Sequence, residues 1–293
     1  MVFPHWALFG LCSAFLGAVQ MLLQEKYKVD GFAAAYWNKI ICVAVMAPPV
    51  IYYGLPPNAP FYIMMAASAS MWAISDVVFF RGISTSGAGT VSRILPASVI
   101  FSFLLWFAVE PSAFGNYLKA PYIAALIFIV LCSWVYFATH LRKCPVSMKA
   151  ARAMWFVIFA SIIGPLLAKK ITNAVDIEQG LYAYTFVQSL MMIIIWTFFL
   201  FIRKPITSKI LFSRHSCRYG AVLGCISAVS AIVGVLALYS VDNPAYLSAV
   251  GYLNSIIILL AYALTGRKND GNVVAGIGMV ICAAALIILK AQI

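Results

Sequence analysis

Three side chains in this sequence carry charge inside otherwise apolar stretches: Lys39, Asp76 and Arg93. An ionisable group at the centre of a membrane-spanning helix costs roughly 2.5–3.5 kcal/mol on insertion scales, so each needs a partner, a wet cavity or a ligand. A cation and a carboxylate at matching depth can pair, which lowers the cost of both. Around them recur side chains with an apolar body and a polar edge, Trp37, Trp72, Tyr184 and Tyr252, accompanied by Asn38, Gln188, Asn254 and Ser255. Such a mixture suits the wall of an amphiphilic, solute-binding pocket. Each aromatic alone equally suits helix packing or a membrane interface, whereas the amides of Gln188 and Asn254 need partners away from lipid.

Covalent and metal chemistry find little footing. His5 lies at the amino-terminal end, and His140 and His215 lie at or beyond the ends of apolar stretches, so no embedded histidine cluster or HExxH helix is present. GxSxG, Walker and GxGxxG patterns are missing as well. The cysteines Cys12, Cys42, Cys132, Cys144, Cys217, Cys225 and Cys282 show no C-x-x-C spacing, and those inside apolar stretches read as small packing residues. The sequence therefore predicts no catalytic residue, no metal and no cofactor, and an ATP-driven mechanism would need a separate subunit.

The elements that must position these residues are set by composition. Of 293 residues, 64% are hydrophobic and 10% charged, against roughly 25% charged in soluble domains. The apolar residues fall in blocks near the ~20 residues that cross a bilayer core. Hydropathy places spans at 6–24, 32–53, 61–81, 88–109 and 120–140, then at 153–171, 181–202, 219–240, 244–265 and 271–290. The expected fold is an all-α integral membrane protein of ten transmembrane helices. These blocks and their short connectors leave no stretch for a soluble catalytic or nucleic-acid-binding domain. The formal charge of +12 lies mostly beside span ends, where an anionic leaflet favours it, so lipid is the expected polyanion and not nucleic acid. The first block, from Trp6, lacks a basic segment before it and a small-x-small cleavage site after it, and reads as a retained helix.

Two sets of five suggest duplication: residues 1–140 as one five-helix unit, 141–152 as a connecting loop and 153–293 as the second. Residues 82–98 run through a polar turn into a span, and 239–255 do likewise at an offset of 157, aligning Ala88 with Ala245 and Ser98 with Ser255. Because five is odd, the second unit must enter the membrane from the opposite side, giving two inverted repeats. In transporters so built, a solute binds between the halves near the midplane and alternating access follows from rocking one against the other.

In length, five-plus-five layout and turn-into-helix segments, the chain resembles the ten-helix EamA-type members of the drug/metabolite transporter superfamily. Ser86-Gly87-Ala88 and Asn243-Pro244-Ala245 precede small-residue helices, Pro96 and Glu110 sit near the family's fourth-span Pro and Glu, and Lys39 falls where a second-span basic residue is common. Arg267 stands in place of the second-half acidic residue, and Leu253-Asn254 replaces the corresponding proline. The resemblance implies a secondary transporter in the cytoplasmic (inner) membrane, with solute contacts drawn from spans one to four and six to nine and spans five and ten peripheral.

Within the hairpin of spans three and four, Asp76 lies eight residues before Ser84 and Arg93 nine after it. With the turn centred there, both sit about 12–14 Å deep, which predicts an Asp76–Arg93 ion pair. Lys39 joins the same layer and leaves it net positive, suiting an anionic or zwitterionic solute. The candidate substrate-binding set is Lys39, Trp37, Asn38, Trp72, Arg93, Tyr184, Gln188, Tyr252 and Asn254. Span eight carries a stripe of Gly220, Gly224, Ser227, Ala231 and Gly234, read first as helix packing and second as a sliding surface. Pro48-Pro49, Pro96 and Gly164-Pro165 are expected kinks.

The expected function is secondary transport of a small polar or amphiphilic metabolite, the partners being that solute and the lipid bilayer, with any coupling ion left open. The alternatives are an intramembrane lipid-modifying enzyme or a non-transporting membrane subunit of a complex. For orientation two arguments conflict. Lys and Arg crowd the odd-numbered connectors, while the other side holds only Lys119, Lys169, Lys170 and Lys290. Basic short loops stay in the cytoplasm, which puts both termini outside; the resemblance puts them inside.

Overall fold

The computed structural model describes residues 5–143, 148–203, 206–266 and 271–292. Cys144 and Arg267, weighed in the sequence, lie outside the described residues, as do Lys204 and Lys268 of the basic odd-numbered connectors. Among the described residues ten helices are long and apolar enough to cross a membrane, and the architecture is that of an all-helical, integral multi-pass membrane protein. In order the spans are His5–Tyr27, Gly31–Tyr53, Ala59–Ser86, Ala88–Val109, Pro121–Thr139, Trp155–Asn173, Ile177–Arg203, Arg214–Ser240, Pro244–Leu264 and Val273–Lys290. Large apolar side chains such as Ile51 and Leu264 point outward, as a lipid solvent requires.

Local chemistry sets the ends. The Asp30 carboxylate accepts from Phe32 N and Ala33 N at 2.9 and 3.2 Å, capping span two. Asn243 does the same for span nine, accepting from Ala245 N at 3.0 Å. Span three runs on through Gly82 to Ser86, and the chain reverses at Gly87, whose φ of 82° belongs to the left-handed region.

Two spans are broken. A 3₁₀ turn at Leu95–Ala97 divides the fourth, where Pro96 withholds its N–H. The ninth divides between Pro244–Gly251 and Asn254–Leu264. Pro48, Pro49 and Pro165 instead sit inside continuous helices.

Span two packs on seven and eight, span one on eight and nine, span three on six and seven, and span four on six and nine. Spans five and ten pack chiefly on each other, at the edge of the bundle. Close approach of spans two and eight depends on two glycines of the stripe. A Cβ at Gly224 would lie 2.6 Å from Ile41 Cβ and 2.8 Å from the Asn38 carbonyl, and one at Gly220 would overlap Trp37.

Candidate functional site

A cavity of about 460 Å³ opens inside this bundle, walled by spans one to three and six to nine. That volume lies in the range that takes a small solute. Lys39 and Asp76 mark its inner level, and the lining runs from there to Leu238 and Pro244, at the corner where span eight ends and span nine begins. The cavity is thus displaced toward the end of the bundle where span one starts.

The charges in it are paired differently from the sequence expectation. Lys39 Nζ lies 3.1 Å from Asp76 Oδ2, and both side chains keep about a sixth of their surface exposed, at 18% and 17%. Asp76 therefore pairs with Lys39 and not with Arg93. The cause is the true position of the turn. Asp76 is eleven residues before Gly87 and Arg93 only six after it, so the two sit at depths of about 16 and 9 Å, not at one level. Arg93 is buried, and its Nε donates to the Gly89 carbonyl of its own helix at 3.1 Å, drawing the side chain back toward the turn. Without Arg93 the layer is not net positive: Lys39 and Asp76 balance.

Trp72, Tyr184, Gln188, Tyr252 and Asn254 line the cavity with that pair. Gln188 Nε2 donates to Ser68 Oγ at 2.8 Å and reaches Tyr184 Oη at 3.5 Å, holding the phenol in the wall. Tyr252 Oη and Ser98 Oγ are 3.3 Å apart, so span four braces the wall without lining it. Ser255 acts in the same way, its Oγ donating to the Ser92 carbonyl at 2.8 Å. Span four, expected among the solute-contacting spans, thus contributes no residue to the lining of this cavity.

Two other nominated residues are structural in place. Trp37 Nε1 donates to the Leu211 carbonyl at 2.8 Å, and Asn38 is buried with its Nδ2 on Ser227 Oγ at 2.7 Å. Neither faces the cavity. Sequence reading missed Ser13, Gly17, Ser230 and Ser248, which do. Their only signal is small residues on spans one, eight and nine; the Ser13 and Ser230 hydroxyls stand 3.3 Å apart.

Beyond Lys39 the bundle is packed. Gln24 Nε2 reaches the Val29 carbonyl at 2.8 Å, Ser84 Oγ at 2.8 Å and the Phe80 carbonyl at 3.3 Å, tying together spans one and three and the chain before span two. Tyr27 stacks on Tyr219 with centroids 3.6 Å apart, and Tyr262 Oη donates to Glu25 at 2.5 Å. At the opposite end, ties lie at the periphery. Lys170 Nζ meets Glu110 at 2.6 Å, and Asn58 Nδ2 donates to the Ala174 carbonyl at 2.9 Å. Glu110 lies just outside span four, and the Lys170 ammonium and Ser112 hydroxyl hold its carboxyl below the usual range.

No family model matches the chain, and no curated protein matches it in sequence. A solved crystal structure of a protein shares the architecture: 98% of each chain superposes with a TM-score of 0.67 at 10% identity. Likeness at that identity establishes the fold alone.

Proposed function

We propose that the protein is a secondary transporter that moves a small polar or amphiphilic metabolite by alternating access, and that it belongs with the EamA-type drug/metabolite transporters. The observation that carries this reading is the cavity itself. Its polar wall, with Lys39, Asp76, Gln188 and Asn254, lies at bilayer depth, reaches toward one end of the bundle and is closed off from the other by packed side chains. Polar groups in that position are costly unless something polar visits them.

The inverted-repeat proposal draws support from the packing pattern. Advancing each span number by five turns the pair one and eight into six and three, one and nine into six and four, and two and eight into seven and three; each product is itself a packed pair. Spans two and seven, four and nine, and five and ten pair with their own counterparts. The helix breaks at Pro96 and Leu253 also differ by 157, the offset of the repeated segment.

Charge bias favours the sealed end as cytoplasmic, with the membrane a cytoplasmic (inner) one; the cavity would then face outward. A reporter fused after Ile293 tests this, and a cytoplasmic signal there would reverse the orientation. For function, purified protein is screened against soluble metabolites by thermal shift, and the stabilising solutes are measured for flux in sealed vesicles. Solute-dependent stabilisation with saturable, protein-dependent flux is expected. Stabilisation without flux would favour a non-transporting subunit, and conversion of added lipid without solute flux would favour a lipid-modifying enzyme.

A further inference from the structure

The second halves of spans four and nine are finished differently. On span four, Phe103 and Trp106 are buried, at 3% and 1% exposure. Their surroundings include a nine-residue helix, Pro111–Lys119, that precedes span five. Its Tyr117 stands 5.9 Å from Phe103 and 4.9 Å from Phe107 between ring centroids, and its Phe114 stands 5.3 Å from Phe107. The offset of 157 carries Phe103 to Leu260 and Trp106 to Ala263 on span nine. There Leu260 is 58% exposed, and Ala263 is exposed as well. The connector from span nine to span ten supplies no covering helix among its described residues, and Asn272 N is tied to the Leu141 carbonyl at 2.8 Å. What remains is a groove of about 340 Å³ between spans nine and ten, walled by Leu259, Leu260, Ala263, Gly276 and Ile277. It runs about 10 Å along span nine, from Ala263 to Ile256. No residue lines both this groove and the solute cavity.

We propose that this groove holds one acyl chain of an anionic glycerophospholipid, whose phosphate meets Lys143, and that the chain takes the place of the helix that packs on span four. The groove faces the bilayer, beside the outward side chains of Leu264 and Val274. A lipid chain that leaves other lipid for the groove gains nothing from the hydrophobic effect, so holding one molecule takes a fitting shape and a charge for its head. The groove supplies the shape, because its walls would otherwise lack contact atoms on one side. The sealed end of the bundle supplies the charge. Lys143 is exposed two residues beyond the lining residue Leu141, and the Arg142 backbone pairs with that of Gly271, another lining residue. This is also the end whose connectors carry most of the Lys and Arg, where an anionic leaflet is attracted. A second copy of the chain could cover the apolar walls but would bring the same basic connectors, like charge against like.

The test fills the groove with the side chains that span four carries. Full-length wild type and a Leu260→Phe/Ala263→Trp variant are delipidated in detergent and titrated with dioleoyl phosphatidylglycerol or dioleoyl phosphatidylcholine, two lipids with the same chains. Bound lipid is counted by native mass spectrometry, and the melting temperature is followed. Wild type is expected to hold one phosphatidylglycerol more than the filled variant, and to bind it about tenfold more tightly than phosphatidylcholine. That lipid should raise the melting temperature of wild type and not of the filled variant. Lys143→Gln should keep the bound chain and lose the preference for the anionic head. Gly276→Leu fills the groove from the opposite wall, where a Cβ would meet only Leu141 Cδ1 at 3.7 Å, and should behave as the double variant does even if that one fails to fold. Folded filled variants that retain phosphatidylglycerol as tightly as wild type would overturn the site. Equal affinity of wild type for the two lipids would overturn the anionic assignment. A wild-type dimer that the filled variants split into monomers would make a second copy the occupant and overturn the lipid. Solute flux is not read, so each of these results leaves the transport reading as it stands.

Discussion

Span eight shows the contrast between the two ends of the bundle on a single helix. At Gly220 and Gly224 the missing side chains let span two approach until a Cβ would strike Trp37, Ile41 or the Asn38 backbone. Three turns on, nothing lies within 4 Å of a Cβ at Gly234, and Ala231 and Gly234 face the cavity. One stripe of small residues therefore serves packing at the sealed end and empty volume at the other. Small residues in a membrane helix mean closeness only where another helix supplies the atoms that fill the gap.

The sharpest way to break this comparison is to put bulk into each stretch. Gly224→Val should cost about 3 kcal/mol or prevent folding, since its neighbours include backbone that cannot yield. Gly234→Ala should leave stability unchanged or raise it by up to about 1 kcal/mol through helix propensity, while weakening solute binding by narrowing the cavity. Thermal unfolding in detergent and solute titration read the two effects. Equal destabilisation at both sites would dissolve the contrast.

Removing one charge of the cavity pair comes next. Asp76→Asn or Lys39→Gln should each cost about 2 kcal/mol, less than the ~3–5 expected for a fully dry pair because both groups are partly exposed. A double-mutant cycle should find coupling between Lys39 and Asp76, and none between Arg93 and Asp76. At the sealed end, Tyr219→Ala removes the stack on Tyr27 and should lower stability by less than either charge removal; increased amide exchange around Tyr27, with no change at Tyr252, would place the effect at that end.

The smallest effect belongs to the peripheral tie of Glu110 and Lys170. Both groups are about a third exposed, so Glu110→Gln should change stability by no more than about 1 kcal/mol. Because the folded carboxyl titrates below its ordinary value, its contribution is complete above the usual carboxylate range, near 4.3, and disappears as pH falls through the lowered folded value. Parallel stability profiles of wild type and Glu110→Gln below that range would contradict the tie.

The ten spans were legible because blocks of about twenty apolar residues have one structural reading in lipid. Six of the nominated residues reach the cavity for a related reason: Lys39, Trp72, Tyr184, Gln188, Tyr252 and Asn254 are polar or amphipathic groups that gain from a wet wall. The charge pairing was not legible from hydropathy, which ends span three near 81, whereas Gly82–Ser86 extend the helix to Gly87. With the turn at Gly87 in place of Ser84, Asp76 lies eleven residues from it and Arg93 six, so Asp76 is about 7 Å deeper and meets Lys39. Gly87 before a small-residue helix was the available signal, since glycine commonly closes a helix in the left-handed conformation. Trp37 and Asn38 lie off the cavity because a single turn of span two separates the face toward span eight from the face that carries Lys39.

The central claim is that solute alternates the exposure of the two ends, and paired thiol labelling tests it directly. In a background with the native cysteines replaced, Gly234→Cys marks the cavity and Leu223→Cys the packed end. In oriented vesicles without solute, a water-soluble thiol reagent should modify position 234 from one side and leave position 223 unreacted. With a transported solute present, position 234 should be protected and position 223 should become reactive from the opposite side. Reaction of both positions from the same side, or labelling that a transported solute leaves unchanged, would contradict alternating access through this cavity.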